Sequence, residues 1–252
     1  MKKRIQPHIM CGVGDVADYV LLPGDPKRAE KIATFFDESR KVADYRGYVT
    51  YSGKVGKTAI STSSSGIGCP SAAIVVEELI KIGAKNLIRV GTTGALQPDI
   101  EIGDIIIATG AVRADGTTNA YAPLGYPAVA DFQIVKALIE AAERLKKRFH
   151  LGIIVSSDAF YAEKEDFVRS YNEAKVLSVE MEASVIFTLT NIKGLRGGAI
   201  LTVDSNLLTG IKKGEFEAGE KTGELDARVQ SSIEDEIRIA IEAVKILDNS
   251  TE

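Results

Sequence analysis

Residues 19–36 read Tyr-Val-Leu-Leu-Pro-Gly-Asp-Pro-Lys-Arg-Ala-Glu-Lys-Ile-Ala-Thr-Phe-Phe, and their reading decides the class of fold. Residues 19–22 are a short apolar run of the kind that makes a buried strand. Gly24-Asp25-Pro26 ends it. Asp25 is a good N-cap and Pro26 suits the first helical position, so a helix is expected from there to about Phe36. A strand that turns directly into a helix is the building unit of an α/β sheet.

The alternation continues outward. Residues 48–52 and 58–62, joined through Gly53 and Gly56, look like a hairpin. Pro70 opens an apolar helix to Ile82, and residues 86–90 form the next strand, closed by Gly91-Thr92-Thr93-Gly94. Further strands are expected at 104–111, 150–156, 175–179 and 198–203, and helices at 131–148, 183–192 and 229–247. The last has Ile233, Ile237, Ala240, Ile241, Val244 and Leu247 at helical spacing. Residues 212–223 are polar and glycine-rich and read as a mobile loop. With no internal repeat, low-complexity tract or linker, one α/β domain over residues 1–252 is the expectation.

Composition narrows the function. The chain has 252 residues, enough for a sizeable core, and its 45% hydrophobic and 26% charged residues are ordinary for a globular protein. A formal net charge of −4 argues against a nucleic-acid partner. The apolar runs are too short to span a membrane, and Met1-Lys2-Lys3-Arg4 leads into Gln6, Pro7 and His8 rather than a signal core. Cys11 and Cys69 allow a single disulfide, but outside CxxC spacing and with only two histidines in the chain they suggest buried or idle thiols, no metal site and a cytoplasmic setting.

Charges at strand ends carry the chemistry. Arg89 lies in Leu87-Ile88-Arg89-Val90-Gly91, where a guanidinium loses solvation unless an anion meets it. That anion is either a buried carboxylate or a ligand near Gly91 to Gly94. Gly24 to Arg28 is a second anion signal, a helix start with free N–H groups, although such starts also occur without ligands. Residues 65–70, Ser-Gly-Ile-Gly-Cys-Pro, lack the third glycine of a dinucleotide fingerprint, which argues against a dehydrogenase. If residues 175–182 stay extended, Glu180 and Glu182 share a face that could hold a sugar diol; a solvated helix start is the other reading. Asp204 ends the apolar run 199–203, as an acid of raised pKa or as a plain turn cap.

Together these blocks resemble a family. Ser64 to Leu79, SSGIGCPSAAIVVEEL, is similar to the signature of the bacterial-type purine nucleoside and uridine phosphorylases. The other blocks follow in the family's order: Pro7-His8, LLPGDPKRAEKIA from Leu21, Arg46-Gly47, IRVGTTGA from Ile88, SSDAFY from Ser156 and VEMEAS from Val179. The resemblance covers nearly the whole chain.

It implies a twisted mixed β-sheet, partly closed into a barrel and flanked by helices. It implies phosphorolysis of a nucleoside, with inorganic phosphate as co-substrate and no metal or organic cofactor. Gly24, Arg28, Arg89 and Thr92 would hold phosphate, joined by Arg46 from a neighbouring subunit. His8 would reach the ribose 5′-hydroxyl across that interface. Glu182 would bind the sugar diol, Met181 would pack on the sugar and Glu180 would support it. Phe160 would stack near the base, Asp204 would be the acid at a purine N7, and Ser205 is the neighbouring choice. Homo-oligomers with shared sites follow, commonly hexamers built as trimers of dimers.

The base is read less directly. Uridine phosphorylases use a glutamine and an arginine soon after the SSDxFY block, and Lys164 and Asp166 here supply neither. Purine nucleosides are therefore expected, with uridine as the alternative, and residues 212–223 are expected to cover the base. Nucleosidases that use water share the fold but lack the arginine-rich site, so Arg28, Arg46 and Arg89 argue against them. A binding relative without catalysis is disfavoured by the intact set.

Overall fold

A computed structural model describes residues 4–162, 164–209 and 227–250. The stretch 212–223, expected to cover the base, lies outside the described residues.

The opening unit forms as its residues dictate. Strand β1 (Tyr19–Leu22) is buried throughout, and helix α1 (Pro26–Ala33) starts where Asp25 accepts the N–H of Lys27 at 2.9 Å. The helix ends three residues short of Phe36, because Thr34 turns its hydroxyl back onto the Lys31 carbonyl and the chain tightens there. Strands β2 (Glu38–Tyr45), β3 (Tyr48–Val55) and β4 (Thr58–Ser63) then form an antiparallel meander. β2 escaped the sequence reading because it lies at the sheet edge, mostly exposed and without apolar alternation.

Helix α2 (Cys69–Lys81) leads to β5 (Asn86–Ala95). Here the expectation needs correcting, since Gly91 to Gly94 do not close the strand. β10 (Arg196–Asn206) pairs with β5 in parallel along its length, from Asn86 opposite Arg196 to Ala95 opposite Asn206. Space is tight at both glycines. A Cβ on Gly91 would meet the Arg89 guanidinium carbon at 2.9 Å, and one on Gly94 would meet Leu207 at 2.5 Å.

The remaining elements are β6 (Ile105–Ala114), β7 (Ala128–Val129), α3 (Phe132–Arg144), β8 (His150–Ser157), α4 (Glu165–Glu173), β9 (Ser178–Glu180), α5 (Ala183–Ile192) and α6 (Ala227–Asn249). α3 stops at Arg144, four residues short of the expected end. Residues 175–182 are not extended throughout, because the chain leaves β9 at Glu180 and Glu182 becomes the residue before α5.

The sheet runs β10-β6-β8-β9-β5-β1-β4-β3-β2, and β10 also pairs with β5. Strands β5, β10, β6, β8 and β9 thus close into a five-stranded barrel, from which β1, β4, β3 and β2 extend as an open wing. Val229, Ile233, Ile237, Ala240, Val244 and Leu247 of α6 are buried in the main core, where α6 packs on α3 and β10. This mixed α/β architecture is the one the resemblance implied.

Candidate active site

The centre of the site is Arg89, on the middle of β5 and facing β9. Its Nε lies 2.6 Å from Glu180 Oε2 and its Nη2 2.5 Å from Glu182 Oε2, with side-chain exposures of 6, 1 and 4% for the three. Burial alone would push the Arg89 pKa down, but Glu182 and Glu180 outweigh it and hold it above its usual value. Burial pushes Glu182 up against the pull of Arg89. Of the two anions weighed for Arg89, the structure contains the carboxylates. Nη1 is buried and has no hydrogen-bond partner among the described residues.

The two glutamates are fixed differently. Glu180 accepts the backbone N–H groups of Glu182 and Ala183 at 2.9–3.1 Å, so it caps α5, and the Ser156 hydroxyl also donates to it. Glu182 accepts the Gly68 N–H at 2.6 Å. Gly68 has φ 86° and ψ 155°, a conformation for which glycine is suited, and this aims its N–H at the carboxylate. Met181, between the glutamates, is partly exposed, and its carbonyl accepts from Cys69 Sγ at 3.3 Å.

Gly24 and Arg28 flank the same region. The Ser65 and Gly66 N–H groups donate to the carbonyls of Pro23 and Gly24, tying the start of α1 to the glycine loop before α2. A Cβ on Gly24 would lie 3.2 Å from the Gly66 carbonyl oxygen. Arg28 and Arg89 both act electrostatically on Glu236 of α6, which ties the two arginines to one neighbourhood. Thr92 sits opposite Thr202 in the β5–β10 register. Asp204 occupies a bulge between Val203 and Ser205, is nearly buried, and its Oδ1 accepts from the Ser205 hydroxyl at 3.1 Å.

Three expected residues lie apart from this cluster. Arg46 is exposed at the β2–β3 turn with φ 54°. His8 is partly exposed, with its Nδ1 2.6 Å from Glu78 Oε1, and the other oxygen of Glu78 takes the His8 and Ile9 N–H groups. Phe160 is half-exposed in a 3-10 turn after β8, edge-on to Tyr161. Sequence reasoning missed Glu78, Ser156, Gly68 and Glu236. Glu78, Gly68 and Ser156 lie within the blocks that carry the resemblance, and Glu236 falls on the apolar stripe of α6 one residue before Ile237.

Both cysteines are buried outside any disulfide, and burial pushes the Cys69 thiol up, so Cys69 is not a ready nucleophile. Among the described residues no cluster of three or more His, Cys, Asp or Glu is arranged to hold a metal ion. No described helix is long and apolar enough to cross a membrane.

The family model described as Phosphorylase superfamily matches residues 18–245. The chain is 44% identical to the guanosine phosphorylase of Halorubrum lacusprofundi over 242 residues, covering 96% of this chain and 99% of that one. It is 47% identical to the uridine phosphorylase of Thermococcus kodakarensis over 257 residues, covering 96% and 87%. Its fold superposes on the crystal structure of purine nucleoside phosphorylase from Toxoplasma gondii in complex with immucillin-H with a TM-score of 0.89, at 30% identity and 99% coverage of both chains.

Proposed function

We propose that this chain, which belongs to the phosphorylase superfamily and is a nucleoside phosphorylase, a pentosyltransferase, cleaves purine ribo- and deoxyribonucleosides with inorganic phosphate as co-substrate. The observation that carries the phosphate site is the buried Arg89 guanidinium. Its Nη1 has no hydrogen-bond partner among the described residues, and a buried donor in that state costs stability unless a ligand accepts from it. Gly24, Arg28 and Thr92 surround the anion in this reading, and Arg46 arrives from a neighbouring subunit.

Departure of the base leaves positive charge on the sugar, as in other oxocarbenium-like reactions. Phosphate beneath the anomeric carbon acts as nucleophile and as a stabilising negative charge. Glu182 holds the sugar diol, Met181 packs on the ring and Glu180 keeps both Glu182 and Arg89 in place. Phe160 stacks near the base. Asp204, with Ser205 beside it, donates to the purine N7 as it becomes electron-rich. His8 reaches the ribose 5′-hydroxyl of a neighbour, so the working unit is a homo-oligomer with shared sites, a hexamer built from dimers. No metal or organic cofactor takes part, and the buried thiols, outside any disulfide, fit a cytoplasmic enzyme.

Uridine is the second reading, favoured by the 47% identity to a uridine phosphorylase. Against it, Lys164 and Asp166 offer no glutamine–arginine pair, and Asp166 is tied to Arg169 at 2.7 Å. One assay tests both readings: inosine, guanosine, adenosine, uridine and thymidine, each with and without phosphate. The expected outcome is purine turnover with ribose 1-phosphate formed only when phosphate is present. Equal base release without phosphate would point to hydrolysis, and uridine as the best substrate would replace the purine reading.

A further inference from the structure

Glu236 is a fully buried carboxyl in the middle of α6, on the stripe that otherwise buries Ile233, Ile237 and Ala240. Its Oε2 accepts from the Thr202 hydroxyl of β10 at 3.2 Å, while Oε1 is buried with no hydrogen-bond partner among the described residues. The Gly91 N–H of β5, two residues from Arg89, acts on it, as do Arg28 of α1 and Arg89. Packing alone would place an aliphatic residue there, since a buried acid costs stability. Thr202 also sits opposite Thr92 in the β5–β10 pairing. Glu236 therefore acts on Arg28 and Arg89 and holds the residue that faces Thr92.

We infer that Glu236 is a positioning residue for the phosphate site, and that the anion binds the form in which its carboxyl carries a proton. A neutral carboxyl supports Thr202 and Gly91 without opposing an incoming dianion, whereas a carboxylate there would repel it through a poorly screened interior. Binding to the ionised form then takes up one proton, which ends on a Glu236 oxygen. The inference rests on the phosphate reading of Arg28 and Arg89.

The charge environment sets the pH range. Burial pushes Glu236 up to about 8, against Arg28, the Thr202 and Gly91 hydrogen bonds and Arg89. Arg89 is itself shared with Glu180 and Glu182. On β10, Asp204 stands two residues beyond Thr202. β4 carries no titratable side chain. From α3, Arg144 pairs with Glu140 and with Glu242 of α6.

Sulfate is the probe, because it is a dianion that does not itself titrate near neutrality. Its affinity would be measured by calorimetry on both sides of the Glu236 transition, in two buffers of different ionisation enthalpy. The wild-type affinity is expected to fall roughly tenfold per pH unit above the transition, with uptake approaching one proton per site. Glu236→Gln should bind sulfate with little pH dependence and no uptake. Wild-type binding that is flat with pH and proton-neutral overturns the inference, with no need for the variant to fold. A pH dependence that survives in Glu236→Gln also overturns it. Sulfate binding that is absent, or unaffected by Arg28→Ala, removes the phosphate-site reading and the inference with it.

Discussion

At Asp204 the backbone itself sets the side chain apart. The β10 bulge passes over Asp204 in the register with β5, where Val203 faces Thr93 and Ser205 faces Gly94. Asp204→Asn preserves size and polarity but removes the proton, so purine turnover should fall by roughly 10²–10⁴. The loss should sit in kcat with little change in binding, since the aid belongs to the transition state. Ser205→Ala, assayed in parallel, should cost much less; the reverse ranking would transfer the role to Ser205. Arg89 behaves differently. Truncating it leaves Glu180 and Glu182 buried without their cation, so Arg89→Ala should lose about 3–5 kcal/mol in a urea melt as well as activity. Unchanged stability would mean that the two carboxylates can protonate or reach water cheaply.

At the level of elements, the glycines before α2 tie the start of α1 to Glu182. Gly68 has room for a methyl group, which would meet Pro70 Cδ at 3.7 Å, so any penalty there is conformational. Gly68→Ala should cost about 1–3 kcal/mol or rotate the N–H away from Glu182. Either outcome should appear as lower thermal stability or a higher KM for the nucleoside; if both stay unchanged, Gly68 does not orient Glu182. The elements themselves were largely legible, because β1, α1, α2, α5 and α6 carry apolar runs or helical stripes with recognisable caps. β2 was not, because an exposed edge strand needs no apolar face. Arg89, Glu180 and Glu182 were legible as charges at strand ends, but their pairings were not. Arg89 and Glu180 are 91 positions apart, and only closure of the barrel shows that the anion beside Arg89 is a carboxylate. The Gly91 to Gly94 run misled because glycine marks both a turn and a tight side-chain contact.

For the molecule as a whole, Glu236 gives stability a pH dependence. Its folded pKa lies above the unfolded value, so its contribution is intact below about 4.5 and is lost as pH rises through about 8. Glu236→Gln should therefore gain melting temperature relative to wild type as pH rises across that window. A constant difference would mean that Glu236 does not change its charge there. Shared sites are tested by mixing. Arg28→Ala is a better partner for His8→Ala than any Arg89 variant, because it leaves the buried ion cluster intact. After joint dissociation and reassembly the two inactive proteins should recover part of the activity; none recovered would place both residues in one subunit's own site. A last consequence follows from β5, which pairs with β1, β10 and β9 at once. Its central partner, residues 196–206, is more than a hundred positions away, so the hub of the barrel cannot assemble until most of the chain has been synthesised. The N-terminal half must wait on the ribosome with β5 paired to β1 on one side only, and the nascent chain should recruit chaperones until β10 emerges. In the finished protein the amides of Leu87 to Val90 should then exchange with deuterium only on global unfolding.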